Sequence, residues 1–291
     1  MKLAIPVLAA AVVVTAAPTK VQASPRVLSL DQCADQFVMA LAPRESIVGV
    51  SHRADDPDSW LRAQARGLPV RRVSFETVWA TRPDVVVRYW GGDPRLLAAL
   101  SRRGVQVVTI EEAVDFGGVR ANVELVSAAL GRAPQGRRLV AAMEGDLTAA
   151  SGAWGGRSAL YLTPGAFTAG SGTLIDSVLR AAGMANAESA PGFRPAPLEQ
   201  LILTPPAAVV RGFWDTARFT RWQLGGHGAL ARLLRRRTFA DLPASTLGCP
   251  GPMAATAARL LAAPAPRPDA PPPGEPSAKR TEGAHLPAPR P

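Results

Sequence analysis

The apolar positions of this chain alternate between two periods. Short continuous runs of aliphatic residues recur, and most are followed by a stretch with apolar residues at helical spacing. Arg26-Val27-Leu28-Ser29 is the first strand candidate. Asp31 caps a helix behind it, whose Ala34, Phe37, Val38 and Leu41 fall at i, i+3, i+4 and i+7 and which ends at Pro43. Ile47-Val48-Gly49-Val50 is a second strand. Ser74 caps a short helix that Pro83 stops just before the strand Val85-Val86-Val87. Asp93-Pro94 starts another helix with Leu96, Leu97 and Leu100 on one side, and residues 105–110 form the next strand. Continuous apolar strands are buried on both faces, so the pattern predicts a parallel sheet covered by helices. A long helix is predicted over residues 134–153, with Pro134 in its first turn and Leu139, Val140, Met143 and Leu147 on one stripe. Strand–helix alternation then restarts at Ser158-Ala159-Leu160-Tyr161-Leu162. The fold class is α/β: two Rossmann-like lobes with mostly parallel sheets, residues 24–133 and 154–263, joined by the helix at 134–153.

A repeat supports two related lobes. The segment from Phe75 to Trp90 aligns without gaps on the segment from Leu198 to Phe213, at a constant offset of 123. Glu76, Thr81, Pro83 and Arg88 match Glu199, Thr204, Pro206 and Arg211. Each copy reads as a short helix, a Pro break, a buried strand and an aromatic at the strand's end.

Both termini read differently from this body. Lys2 precedes an uncharged apolar run over residues 3–17, and Val21-Gln22-Ala23 gives the small-x-small pattern of a cleavage site, so residues 1–23 predict an export signal. The run is short for a bilayer span, and no cysteine stands at the cleavage point to carry a lipid, so the mature chain is expected to be soluble and periplasmic. Residues 264–291 are dominated by Pro, Ala and charge and predict a disordered tail. Removal of residues 1–23 takes away Lys2 and Lys20 and no acid, which lowers the formal charge from +10 to +8. The arginines are scattered apart from Arg235-Arg236-Arg237, and with export they argue against nucleic acid as a partner. They read as a solvated basic surface or as attraction for an anionic ligand. Two cysteines, Cys33 and Cys249, are compatible with one disulfide in an oxidising compartment or with two buried thiols. His52, His227 and His285 are far apart, which leaves a protein-built metal site without support.

Candidate chemistry concentrates at the repeat. Open α/β sheets bind ligands at the carboxyl ends of their strands, and there the two copies carry Arg88, Tyr89 and Trp90, then Arg211, Phe213 and Trp214. Aromatic faces give large contact area, and guanidinium groups fork onto carboxylates or phosphates, which suits a large, flat or anionic ligand in a cleft between lobes. Catalytic signals are thin. Gly170-Ser171-Gly172-Thr173 lacks the third glycine and the lysine of phosphate-binding loops and reads as the turn opening a helix from Thr173 to Ala182. No GxSxG elbow occurs, and Asp55-Asp56-Pro57-Asp58 reads as a loop and cap. An exported α/β enzyme of unknown reaction is the alternative class.

Several segments resemble one family. Arg26-Val-Leu-Ser-Leu followed by a helix and Ile47-Val-Gly-Val-Ser51, the stretch from Glu76 to Gly92, Gly170-Ser-Gly-Thr-Leu-Ile-Asp176, Ala181-Ala-Gly-Met-Ala-Asn186 and Pro250-Gly-Pro252 are together similar to the periplasmic substrate-binding proteins of iron-siderophore and cobalamin ABC importers. The resemblance implies two lobes on one rigid helix and no catalysis. It also implies a monomer that binds a small-molecule metal chelate (ferric siderophore, heme or cobalamin), with no cofactor of its own. By the same resemblance Glu76 and Glu199 dock onto the membrane permease, and Tyr89 and Phe193 fall at or near ligand-contacting tryptophans of the cobalamin-binding branch.

Overall fold

The computed structural model describes residues 24–217 and 228–263; the predicted export signal 1–23 and the predicted disordered tail 264–291 lie outside the described residues. The first half builds β1 (Val27–Ser29), α1 (Gln32–Leu41), β2 (Ile47–Ser51), β3 (Val70–Arg71), α2 (Phe75–Thr81), β4 (Val85–Arg88), α3 (Pro94–Arg102), β5 (Gln106–Thr109) and α4 (Phe116–Ala129). Its five strands form one sheet in the order β3-β2-β1-β4-β5, and every pairing is parallel. Val27, Val86 and Val87 are fully buried, as strands covered on both faces require. The capping reading holds at atomic level: Asp31, Ser74 and Asp93 each accept a backbone N–H of the first turn of the helix they precede.

The connecting helix α5 runs over Ala133–Ala150, three residues shorter at its C-terminal end than its apolar stripe predicts. Ser151-Gly152-Ala153-Trp154-Gly155-Gly156 follows as turns, and Gly152, Gly155 and Gly156 take positive φ, which a helix does not accommodate. Of the stripe, Met143 is buried, and Leu139, Val140 and Leu147 pack against the clusters on either side.

The second half builds β6 (Ser158–Leu162), β7 (Phe167–Ala169), α6 (Leu174–Ala181), β8 (Ala185–Asn186), β9 (Phe193–Pro195), α7 (Leu198–Leu203), β10 (Ala208–Gly212), α8 (Gly228–Arg237), β11 (Thr238–Leu242), α9 (Ala244–Leu247) and α10 (Met253–Ala262). Its main sheet has the order β8-β6-β10-β11, again parallel throughout, and β7 pairs with β9 as an antiparallel ribbon. With β1 matched to β6, β2 to β8, β4 to β10 and β5 to β11, the two sheets have one strand order. The repeat lies inside this correspondence: α2 and α7 begin at the aligned Phe75 and Leu198, and β4 and β10 at the aligned Val85 and Ala208. The turn reading of Gly170–Thr173 also holds, since Thr173 caps α6 and Gly183, at φ 80°, ends it.

The lobes are tied together on one side. The alanine-rich α10 packs closely along α5 and α6, and Asp146 of α5 holds Arg259 at 2.7 Å and the Thr256 hydroxyl at 2.8 Å. Ala113, Val119, Met143 and Ala255 form a buried cluster joining α4, α5 and α10, with Phe116 and Leu174 at its edge. The Ser177 hydroxyl donates to the Val114 carbonyl at 3.1 Å across the same boundary. A disulfide joins Cys33 in α1 to Cys249 ahead of α10, so of the two sequence readings the bonded pair is the one observed.

Candidate ligand-binding site

In the first lobe the site is built from the carboxyl end of β4. Arg88 is the last residue of the strand and half-buried. Its Nε donates to the Gly91 carbonyl at 2.6 Å and its Nη1 reaches the Thr109 hydroxyl at 3.4 Å. Among the described residues no carboxylate pairs with it. Tyr89 is half-buried against the lobe core and donates its hydroxyl to Glu112. Burial first, then this bond and the Glu112 charge, push the phenol above its ordinary range, so Tyr89 stays neutral. Trp90 leaves 55% of its surface open to solvent.

A single buried carboxylate fixes this loop. Asp31 Oδ1 accepts the Ala34 N–H at 2.9 Å and caps α1, while Oδ2 accepts the N–H groups of Tyr89 at 2.7 Å, Trp90 at 3.2 Å and Gly91 at 2.9 Å. Gly91 has to be glycine at this approach, because a Cβ there would lie 2.6 Å from the Leu30 carbonyl. Asn122 of α4 does the same for the adjacent loop: its side-chain amide accepts from the Glu111 N–H at 3.0 Å and donates to the Glu111 carbonyl at 2.8 Å. It thereby holds the segment that carries Glu112.

In the second lobe Arg211, Phe213 and Trp214 stand at the carboxyl end of β10. Arg211 differs from its counterpart Arg88: it is paired with Asp241 through two charge-assisted bonds, and its guanidinium lies over the Trp214 ring at 5.1 Å. Phe213 takes φ 64°, a left-handed conformation that is strained for a bulky side chain, and such strain collects at ligand sites. The neighbouring Gly212 makes room for the buried Tyr161, whose ring a Cβ there would overlap. Phe193 is 67% exposed on β9, opposite Ala169 of β7. Phe167, diagonal to it on the same face of the ribbon, is 49% exposed and was not signalled by the sequence pattern. Thr163 N–H donates to the Phe167 carbonyl at 2.9 Å, which folds the ribbon back over the carboxyl end of β6.

The structure thus brings Arg88, Tyr89 and Trp90 onto one loop, and Arg211 onto Trp214. Among the described residues no hydrogen bond, ion pair or ring contact joins the first group to the second or to Phe193. Glu76 and Glu199 are both exposed at the second position of their helices, away from these loops in sequence and register. The backbone N–H at the start of α2 and the Ser74 hydroxyl hold the Glu76 carboxyl below its usual range. No side chain caps α7. Asp56 and Asp58 lie in a turn-rich loop, not a helix, and pair with Arg53 at 2.8 and 3.6 Å. Among the described residues no cluster of three or more acidic, His or Cys side chains is arranged to hold a metal ion.

Two parallel sheets of one strand order and an intervening helix define a bilobal α/β protein with aromatic side chains at two of its strand ends. The sequence matches the periplasmic binding protein family over residues 27–246, and the chain belongs to that family. No curated protein matches it in sequence. Solved structures similar to it include the periplasmic heme-binding protein RhuT from Roseiflexus sp. RS-1, at 24% identity and a TM-score of 0.62 over 82% of this chain and 97% of that one. A periplasmic heme-binding protein from Pseudomonas aeruginosa matches at 24% identity and 0.60, covering 82% and 92% of the two chains. The periplasmic vitamin B12-binding protein BtuF of Vibrio cholerae matches at 19% and 0.58, covering 82% and 96%. At these identities the likeness is one of fold. Among the described residues no helix is long and apolar enough to cross a membrane.

Proposed function

We propose that this chain is the periplasmic solute-binding component of an ABC importer, which takes a bulky metal chelate between its lobes and hands it to the membrane permease without chemical change. The observation that carries this reading is the asymmetry of the two strand-end groups. Arg88 offers a half-buried cation with no carboxylate partner among the described residues, beside the exposed face of Trp90. Arg211 is already neutralised by Asp241, and the second lobe instead offers the exposed rings of Phe193 and Phe167. A ligand with an acidic edge and a broad apolar face satisfies both: the edge pairs with Arg88 and the face covers the rings. Heme, with its propionates on one edge of a flat porphyrin, has that arrangement; ferric siderophores and cobalamin, bulky chelates whose charge is placed differently, complete the class, and the fold neighbours that bind heme or B12 support it. Export through residues 1–23 would place the chain where such ligands are captured. Glu76 and Glu199, one exposed carboxylate on each lobe, are the contacts offered to the permease.

The test is native mass spectrometry and absorbance spectroscopy on the exported protein purified from periplasm. A coloured molecule held one per chain and released unchanged on denaturation is the expected result. Conversion of a chelate to a new product would replace the reading with an enzyme.

A further inference from the structure

We infer that Asp31 is the positioning residue of the ligand loop, ordering Arg88, Tyr89 and Trp90 before any ligand arrives; this rests on the binding reading above. The carboxylate is buried at 1% exposure and divides its two oxygens between two tasks. Oδ1 performs the ordinary helix cap on Ala34. Oδ2 collects three successive amides from a loop 58 to 60 residues away, a concave nest of N–H groups closed on one anion.

The consequence reaches the side chains that meet ligand. With the Tyr89 N–H fixed by Asp31 and its hydroxyl held by Glu112, the ring is pinned at both ends. Gly91, fixed through its N–H, presents its carbonyl to Arg88 Nε, so the guanidinium is aimed through the same carboxylate. A loop ordered in advance does not lose that freedom on binding, and the saving appears as affinity. Asp31 touches no ligand in this account.

The two oxygens allow the two tasks to be separated. Asp31→Ser keeps a good helix cap but is too short to reach the loop amides. Gly91→Ala acts from the other side, forcing the loop off Leu30 and Asp31 while leaving the cap of α1 intact. Two measurements are made on each variant and on the wild type. One is amide hydrogen exchange without ligand. The other is titration with hemin, cyanocobalamin and a ferric hydroxamate siderophore. The expected result is exchange at Tyr89, Trp90 and Gly91 at least tenfold faster in both variants with α1 still protected, and affinity for the ligand that wild type binds weakened at least tenfold. Faster exchange in α1 with an unchanged loop in Asp31→Ser would reduce Asp31 to a helix cap and overturn the inference. So would a loosened loop with wild-type affinity. Failure of the wild type to bind any of the three probes counts against the function reading, and the exchange arm then still decides whether Asp31 orders the loop.

Discussion

Cys33, the second residue of α1, is bonded to Cys249, four residues ahead of α10, across a sequence separation of 216. The bond joins the first helix of one lobe to the approach of the last helix of the other. It sits two residues from Asp31, so the covalent tie and the carboxylate that holds the Tyr89–Gly91 loop share one helix end.

Closing a loop of that length removes much freedom from the unfolded chain, about 5 kcal/mol in the chain-entropy view. Labelling of denatured, unreduced protein with a thiol reagent is expected to modify neither cysteine. Reduction, or replacement of both by Ser, is expected to lower stability by several kcal/mol in that same model. Two reactive thiols in the unreduced protein would rule the bond out.

Asp35, one turn after Asp31, gives the fold a pH dependence of unusual sign. It is fully buried, and burial raises its pKa from 3.8 to about 6 despite the Ser51 N–H at 2.9 Å and the Ser51 hydroxyl at 2.6 Å. The folded state therefore binds the proton more tightly than the unfolded chain does. The contribution is fully present below pH 3.8 and is lost as pH rises through about 6. Over that window it amounts to about 3 kcal/mol. Denaturant titrations of wild type and Asp35→Asn at several pH values are expected to show the variant gaining on wild type from pH 4 to pH 7. A constant difference would show that Asp35 does not titrate in this range.

How far the sequence carried the architecture is clear from particular elements. The aligned starts of α2 with α7 and of β4 with β10 were legible because a Pro break and a buried apolar run leave strong local signals. α4 was missed: Gly117 and Gly118 interrupt its first turn and hide the spacing of Val119, Val123 and Val126. β7, β8 and β9 are two or three residues long, too short for any period to register. The strand-end residues of both copies were named, but the groups that govern them were not. Asp31 read only as a cap, because its second oxygen finds partners 58 residues and more away. The same holds for Asp241, whose pairing with Arg211 spans 30 residues and makes two aligned arginines electrostatically unlike.

The aromatic rings of the proposed site, half-buried Tyr89 and exposed Phe193 and Phe167, are expected to contribute directly to affinity. Truncating a well-buried aromatic anchor costs roughly 2 kcal/mol, about thirtyfold in Kd. Tyr89→Ala and Phe193→Ala are each expected to show such a loss, and Phe167→Ala a comparable one, by fluorescence titration with the co-purified ligand. Wild-type affinity in all three would confine these side chains to supporting the fold.

Glu76 and Glu199 are expected to act on transport and not on ligand affinity. Local capping does not account for both, since Ser74 caps α2 at 3.1 Å while α7 has no side-chain cap. Rim charges set encounter and register with a partner more than final affinity. Glu76→Arg with Glu199→Arg is expected to leave ligand binding unchanged, to lower melting temperature only slightly through the lost helix-start contacts of Glu76, and to abolish uptake in reconstituted vesicles. Normal uptake by the double variant would remove the docking role.

In the proposed function the strand-end groups of the two lobes receive one chelate between them, its acidic edge on Arg88. This arrangement is tested most directly by titrating the wild type and Arg88→Gln with hemin, cyanocobalamin and ferric siderophores while following tryptophan emission. A saturable one-to-one quench with one class of chelate is expected, weakened about tenfold or more by Arg88→Gln and by added salt. No saturable binding of any chelate, or equal affinity in the two proteins at every salt concentration, would contradict it.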